Sequence, residues 1–241
     1  ATDYTEQQYF ATMKSALRME ELVTRHSTIV DKYDPKKKIA LVVDEWGGWY
    51  EVEKGTNPGF LYQQNTMRDA MIAGVTLNVF HNHCDRVRMA NLAQTVNVLQ
   101  AVILTSKEKM IITPTYHVLE MYNVHQDATM LPVTLKTNDY VLGTEKLPAV
   151  SVSASKDKDG VTHISLVNID ASKSQSISIN IRGAKYSSVS GRILTGKNLQ
   201  DYNSFEQPNK IQPAVFKEAK LSADLLQVQL PPFSVVVLTL K

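Results

Sequence analysis

Ile39 to Glu45, read as Ile-Ala-Leu-Val-Val-Asp-Glu, is the stretch that most narrows what this chain can fold into. A short, β-branched apolar run bounded by Lys36-Lys37-Lys38 and by Gly47-Gly48 predicts a strand buried on both faces, as in a parallel sheet. The run ends on two acids, Asp44 and Glu45, and Trp46, Trp49 and Tyr50 follow. A carboxylate at the C-terminal end of a buried parallel strand is where an α/β barrel places its chemistry. Aromatic faces beside an acid suit a sugar ring, whose apolar side stacks on them.

The flanking segments keep the same rhythm. Thr5 with Gln8 three residues on forms a capping-box pattern, and Tyr9, Phe10, Met13, Leu17, Leu22, Val23, Ile29 and Val30 recur at helical spacing. Residues 5–33 therefore read as one or two amphipathic helices, stopped by Asp34-Pro35. After the strand comes a loop with Gly55, Asn57, Pro58 and Gly59, long enough to shape a site mouth. A second helix runs from Thr66 to about His81, Val87 to Ala90 reads as a barrel strand, and Met110 to Ile112 as a further extended piece. A helix opened by Pro114 then runs to about His125. Helix, strand, helix, strand, helix is about a quarter of a βα barrel.

Near Asp127 the hydrophobic period changes from 3.6 to 2. Ala149 to Ser153, Ile164 to Leu166, Ile177 to Ile181, Leu226 to Leu230 and Ser234 to Leu240 alternate, with a turn at Lys156 to Gly160. These predict an antiparallel sandwich with polar outer faces. The fold class is thus α/β plus all-β: residues 1–127 as the C-terminal portion of a (β/α)8 TIM barrel, and residues 128–241 as a jelly-roll-like β-sandwich.

Composition excludes several classes. The 241 residues are 43% hydrophobic and 21% charged with a formal charge of +2, an ordinary soluble balance that implies neither a nucleic-acid nor a membrane partner. One cysteine, Cys84, precludes an internal disulfide. No stretch approaches a membrane span and Ala1-Thr2-Asp3-Tyr4 is no signal peptide, so the cellular location stays unassigned. His81, His83, Cys84 and Asp85 lie close together but match no zinc spacing. There is no Gly-x-Ser-x-Gly elbow and no Gly-rich phosphate loop. No metal or cofactor is expected.

Glu45 is the candidate nucleophile; on pattern alone it could equally pair with a buried Arg or Lys. A retaining glycosidase needs two carboxyls about 5–5.5 Å apart. Glu51 and Glu53 follow in the loop but read as solvated surface. Asp44, adjacent to Glu45 on a strand, is expected on the opposite face in a structural bond.

Asp44-Glu45-Trp46, two glycines and Trp49-Tyr50 together resemble the nucleophile strand of glycoside hydrolase family 51, the α-L-arabinofuranosidases. Leu92-Ala93-Gln94-Thr95-Val96-Asn97 resembles that family's eighth-strand segment, and Thr113 to Val118 the start of its last barrel helix. Gly191 to Gly196, Asn203 to Pro208 and Leu230 to Ser234 resemble its C-terminal sandwich. The matches run in order over nearly the whole chain. The resemblance implies a retaining, exo-acting enzyme that removes terminal arabinofuranosyl groups from arabinan, arabinoxylan or their oligosaccharides. It implies Glu45 as nucleophile, Gln94 on the arabinofuranosyl ring, Trp49 on the leaving-group side and Trp46 packing near the nucleophile, with Asn97 structural and Gly47-Gly48 widening the mouth. The family's acid/base glutamate would lie upstream of Ala1, so a missing N-terminal barrel segment is an expected partner, as is a homo-oligomer, commonly a hexamer in the family. The rivals are an endo-acting β-glucanase or xylanase of the same barrel clan and a noncatalytic carbohydrate-binding protein.

Overall fold

The computed structural model describes residues 1–241. Helix α1 (Glu6–Tyr33) is one helix of 28 residues. The Thr5 hydroxyl accepts from the Gln8 N–H at 3.3 Å and Gln8 Oε1 accepts from the Thr5 N–H at 2.8 Å, closing the box the sequence suggests. Tyr9, Phe10 and Met13 bury the first turns, while Leu22 and Ile29 stay exposed farther along.

Strand β1 (Leu41–Trp46), helix α2 (Met67–Asn82) and strand β2 (Val87–Leu92) form a parallel strand–helix–strand unit. Arg86, fully buried, fastens its lower end. The guanidinium donates to the Asp34 carboxylate at 2.9 Å and to the Ile39 carbonyl at 2.6 Å, and it pairs with Asp31. One face of the two strands packs on α2. On the other, the register partners Val42 and Met89 are 42% and 56% exposed. An apolar face left bare on a parallel pair is the profile of an unfinished barrel.

A hairpin, β3 (Ile103–Ser106) with β4 (Lys109–Ile112), leads into α3 (Pro114–Tyr122) and a 3-10 turn at Asn123–His125. Proline at the first helical position suits α3, because its missing N–H costs nothing there. Thr113 and Thr115 tie that helix start down: Thr113 Oγ1 donates to the Ala101 carbonyl at 3.0 Å and Thr115 Oγ1 to Asn65 Oδ1 at 2.9 Å.

The remaining strands are β5 (Thr129–Leu131), β6 (Asp139–Leu142), β7 (Glu145–Pro148), β8 (Val150–Lys156), β9 (Thr162–Asn168), β10 (Gln175–Asn180), β11 (Val189–Leu194), β12 (Ala214–Val215), β13 (Ala219–Ser222), β14 (Leu225–Leu230) and β15 (Ser234–Leu240). Six make an antiparallel sheet in the order β12-β11-β15-β9-β8-β5, three make a second sheet, β10-β14-β13, and β6-β7 is a separate hairpin. The expected pairing of α/β and all-β parts is therefore present.

One feature departs from the sequence reading. The larger sheet does not have a polar, wet outer face: β9 is buried along its whole length, and Ser153, Ser155 and Ser165 are buried with it. Helix α2 lies on that face and supplies partners, Asn78 accepting from Ser153 Oγ at 2.8 Å and donating to Ser151 Oγ at 3.1 Å. Alternating serines thus meet a polar stripe on a helix rather than water. One hydrophobic cluster runs from Tyr9 and Met13 through Met71 and Val75 to Val167 and Leu238, packing the parts on either side of residue 127 together. Gly74 permits this contact, for a β-carbon there would stand 2.8 Å from Val167 Cγ2.

Candidate active site

The end of β1 carries a bulge. Val43 pairs with Ala90 and Trp46 with Leu92, so three steps along β1 match two along β2. Leu41 and Val43 pack on the core, and simple alternation would put Glu45 with them. The extra residue hands that place to Trp46, and both Asp44 and Glu45 are exposed. Asp44 therefore stands exposed beside Glu45 and makes no side-chain hydrogen bond or ion pair of the structural kind expected from alternation.

Trp46 is 6% exposed, its ring edge-on to Phe80 of α2 with centroids 5.8 Å apart. This places it in the core layer beneath the strand end that carries Glu45. Trp49 is 65% exposed. Its loop is anchored on both sides: Gln100 Nε2 donates to the Gly48 carbonyl at 3.0 Å and to Asp69 Oδ1 at 3.1 Å, and the Tyr50 N–H donates to Gln63 Oε1 at 2.7 Å. The Tyr50 ring lies 3.5 Å from the buried Arg68 guanidinium, which contacts Tyr4 on another side at 3.9 Å. Burial pushes the Tyr50 hydroxyl far above the usual phenol range. The glycines serve packing more than openness, since Gly47 has φ +121° and the Gln100 side chain runs close against it.

Gln94 is exposed, two residues beyond β2, at the same C-terminal edge as Glu45 and Trp49. The Ala93–Gln94 peptide is cis. Cross-links brace its loop: the Gln100 N–H donates to the Ala93 carbonyl at 3.1 Å, Ile103 N–H to the Thr95 carbonyl at 3.1 Å, and Asn97 and Thr105 exchange two bonds of 2.8 Å each. Asn97 sits at φ +59°, a region asparagine tolerates. The structure thus gathers Glu45, Trp49 and Gln94 at one edge and sets Trp46 behind it.

Of the other acids, Glu51 is exposed, and Glu53 Oε1 accepts from the Gln64 N–H at 3.2 Å, bracing the loop. Asp69 Oδ2 accepts from the Thr66 N–H at 2.7 Å in the α2 capping box. No three His, Cys, Asp or Glu side chains form a group able to hold a metal ion. His83 bonds Glu20 at 2.6 Å and His81 bonds Ser153 at 3.1 Å, while Asp85 pairs with Lys37.

Beside Gln94 opens a cleft of about 720 Å³ lined also by Phe60, Tyr62, Asn97, Thr105 and Phe205. The three aromatics were not singled out as site residues by the sequence. Their signals were indirect: the Gly55 to Gly59 loop and the Asn203 to Pro208 run. Asn203 holds that run in place, its amide donating to the Ile112 and Ile211 carbonyls at 3.0 and 2.9 Å.

Comparison with known proteins places these features in a family. A model of the "Alpha-L-arabinofuranosidase C-terminal domain" matches residues 44–234. The chain is 51% identical, over its whole length, to 47% of a Bacteroides ovatus protein named "Intracellular exo-alpha-L-arabinofuranosidase". The crystal structure of the GH51 arabinofuranosidase from Xanthomonas axonopodis pv. citri superposes with a TM-score of 0.97 at 49% identity, covering 99% of this chain and 48% of that one. An arabinose complex of the Thermotoga maritima α-L-arabinofuranosidase shares the fold at a TM-score of 0.82 and 23% identity, over 96% of this chain and 49% of that one. The chain spans about half the length of the relatives it matches. No helix in it is long and apolar enough to cross a membrane.

Proposed function

The chain belongs to the α-L-arabinofuranosidases of glycoside hydrolase family 51, and on that footing we propose that it supplies the nucleophile half of a retaining, exo-acting arabinofuranosidase site. The observation that carries this reading is the bulge ending β1, which turns Glu45 to the open face while Trp49 and Gln94 stand at the same edge. The substrates are terminal arabinofuranosyl groups of arabinan, arabinoxylan or their oligosaccharides.

In the first step a Glu45 carboxylate oxygen attacks the anomeric carbon, the glycosidic C–O bond breaks, and the leaving oxygen takes a proton from a second carboxyl. Water then attacks the glycosyl-enzyme, gives its proton to that second group, and releases arabinose with Glu45 restored. Gln94 can donate to and accept from ring hydroxyls through its amide. Trp49 offers its exposed face on the leaving-group side, and Trp46 supports the strand end from beneath.

The second carboxyl belongs to the N-terminal barrel portion that joins this chain in the assembled enzyme. The bare apolar face of β1 and β2, with Val42 and Met89 exposed, supports such a companion. By family likeness the assembled enzyme forms a homo-oligomer, commonly a hexamer in that family.

The test is release of 4-nitrophenol from its α-L-arabinofuranoside by the assembled enzyme, beside Glu45→Gln. The expected result is an active parent and a loss of several orders of magnitude in the variant. Equal activity in both would remove Glu45 from the chemistry; silence in both, with retained binding to arabinan, would favour a noncatalytic carbohydrate-binding protein.

A further inference from the structure

We propose that Arg68 is a positioning residue for the loop that follows Glu45, holding Tyr50 and through it Trp49. This rests on the arabinofuranosidase reading above and adds to it a buried residue of α2.

The setting of Arg68 is unfavourable by every local measure. It stands in the first turn of α2, where the helix dipole opposes a positive charge, and it is 3% exposed. Unlike Arg86, which pairs with both Asp31 and Asp34, it has no carboxylate within ion-pair distance. Asp69 beside it is engaged elsewhere, Oδ2 with the Thr66 N–H and Oδ1 with Gln100. The guanidinium donates one bond of 2.8 Å, to the Ala1 carbonyl, and Nε has no partner. If packing were its only task, an apolar side chain of like volume would serve better than a buried, unpaired cation.

What the guanidinium does have is two aromatic faces. Its Cζ lies 3.5 Å from the Tyr50 ring centroid and 3.9 Å from that of Tyr4. Stacking of a flat cation on a ring is strongest where water is excluded. Tyr4 is itself fixed, for its hydroxyl donates to the Leu199 carbonyl at 2.5 Å and lies 3.0 Å from Thr66 Oγ1. Arg68 therefore has a firm backing tied to the sandwich part, and Tyr50 takes its place from Arg68.

Tyr50 passes that position on. Its hydroxyl lies over Gly48, where a β-carbon would stand 2.4 Å from it. The Gly48 carbonyl accepts from Gln100 Nε2, which also donates to Asp69. Two consecutive residues of α2 thus grip one loop by separate routes, Arg68 through Tyr50 and Asp69 through Gln100. Trp49 lies between the two grips and is 65% exposed. A ring with so little packing of its own depends on its neighbours for the angle at which it meets a substrate.

The experiment measures kcat and KM of the assembled enzyme on 4-nitrophenyl α-L-arabinofuranoside. Arg68→Met, which keeps the bulk and removes the charged plane, is expected to raise KM by about tenfold and to change kcat by less than about twofold. Combined with Trp49→Ala, it should raise KM no further than Trp49→Ala alone. Tyr50→Leu tests the same route with Arg68 in place and should reproduce the rise in KM, which Tyr50→Phe should recover by restoring the stacked face. A folded Arg68→Met enzyme with the parent's KM, or a rise that multiplies with that of Trp49→Ala, would overturn the proposal. So would an unchanged KM in Tyr50→Leu, the deciding variant should Arg68→Met fail to assemble. A parent with no activity on the glycoside would instead overturn the arabinofuranosidase reading, and the proposal would fall with it.

Discussion

The Gln100 side chain runs directly against Gly47, so that a β-carbon on Gly47 would stand 2.5 Å from Gln100 Cγ. Gly47 also holds φ +121°, where L residues are strained whatever the space. Because Gln100 links the loop of Trp49 to α2 through Asp69, Gly47→Ala is expected to act on both stability and site. A loss of about 1–3 kcal/mol is predicted from backbone strain alone. Denaturant unfolding of parent and variant measures it; an unchanged midpoint would show that the loop has room to adjust.

Trp46 and Trp49 lie three residues apart and should respond in opposite ways. Trp46, 6% exposed against Phe80, is a core side chain, and Trp46→Ala is predicted to cost about 3–5 kcal/mol. Trp49, 65% exposed, should alter stability by less than about 0.5 kcal/mol on replacement by Ala. Its effect belongs in the KM of the assembled enzyme. A stability loss at Trp49 as large as at Trp46 would contradict this division.

Much of this was legible in the residues. The apolar run from Ile39, the Thr5 capping box, and the switch to period-2 alternation after Asp127 each specify their element locally. What was not legible depends on contacts between distant elements. Alternation placed Asp44 opposite Glu45, because a bulge depends on register with Ala90 and Leu92 and leaves no mark in the sequence of β1. The serines of β8 read as a wet face because nothing local reveals that Asn78 and His81 lie over them. Phe205 could not be joined to Gln94 from spacing, since more than a hundred residues separate two walls of one cleft.

Gly74 sets the distance between α2 and the larger sheet. Its virtual β-carbon would meet Val167 Cγ2 at 2.8 Å and Val235 Cγ2 at 3.3 Å, both in residues with no exposure. Helix propensity favours alanine over glycine by about 1 kcal/mol, but overpacking a rigid core costs about 1–3 kcal/mol. Gly74→Ala is therefore predicted to be net destabilising, and Gly74→Ala with Val167→Ala less so than the sum of the two single variants. A double-mutant cycle with no coupling would show that the helix shifts instead.

His81 and His125 lie with ring centroids 4.6 Å apart and planes tilted by 50°, where α2 and the 3-10 turn after α3 meet β8 and β9. His125 bonds Ser155 at 2.7 Å and Ser165 at 2.5 Å; Tyr122 and His163 flank it. His163 bonds Asp157 at 3.1 Å and Thr239 at 3.2 Å. Burial pushes His81 down to about 4 and, with the neighbouring histidines, His125 down to about 3. Both therefore stay neutral in the folded chain at pH values where the unfolded chain already binds the proton. Their contribution opposes folding as pH falls from about 6.5 towards 4, with a slope of up to about 1.4 kcal/mol per pH unit for each histidine. Asp157 acts in another window, because its carboxylate, held below the usual range by His163, loses its contribution only under about pH 4. Unfolding free energies of the parent should fall steeply between pH 6.5 and pH 4.5, and His125→Gln, which keeps bonds to the serines without titrating, should flatten that fall by roughly half. Parallel pH profiles for parent and variant would remove His125 as a source of the acid sensitivity.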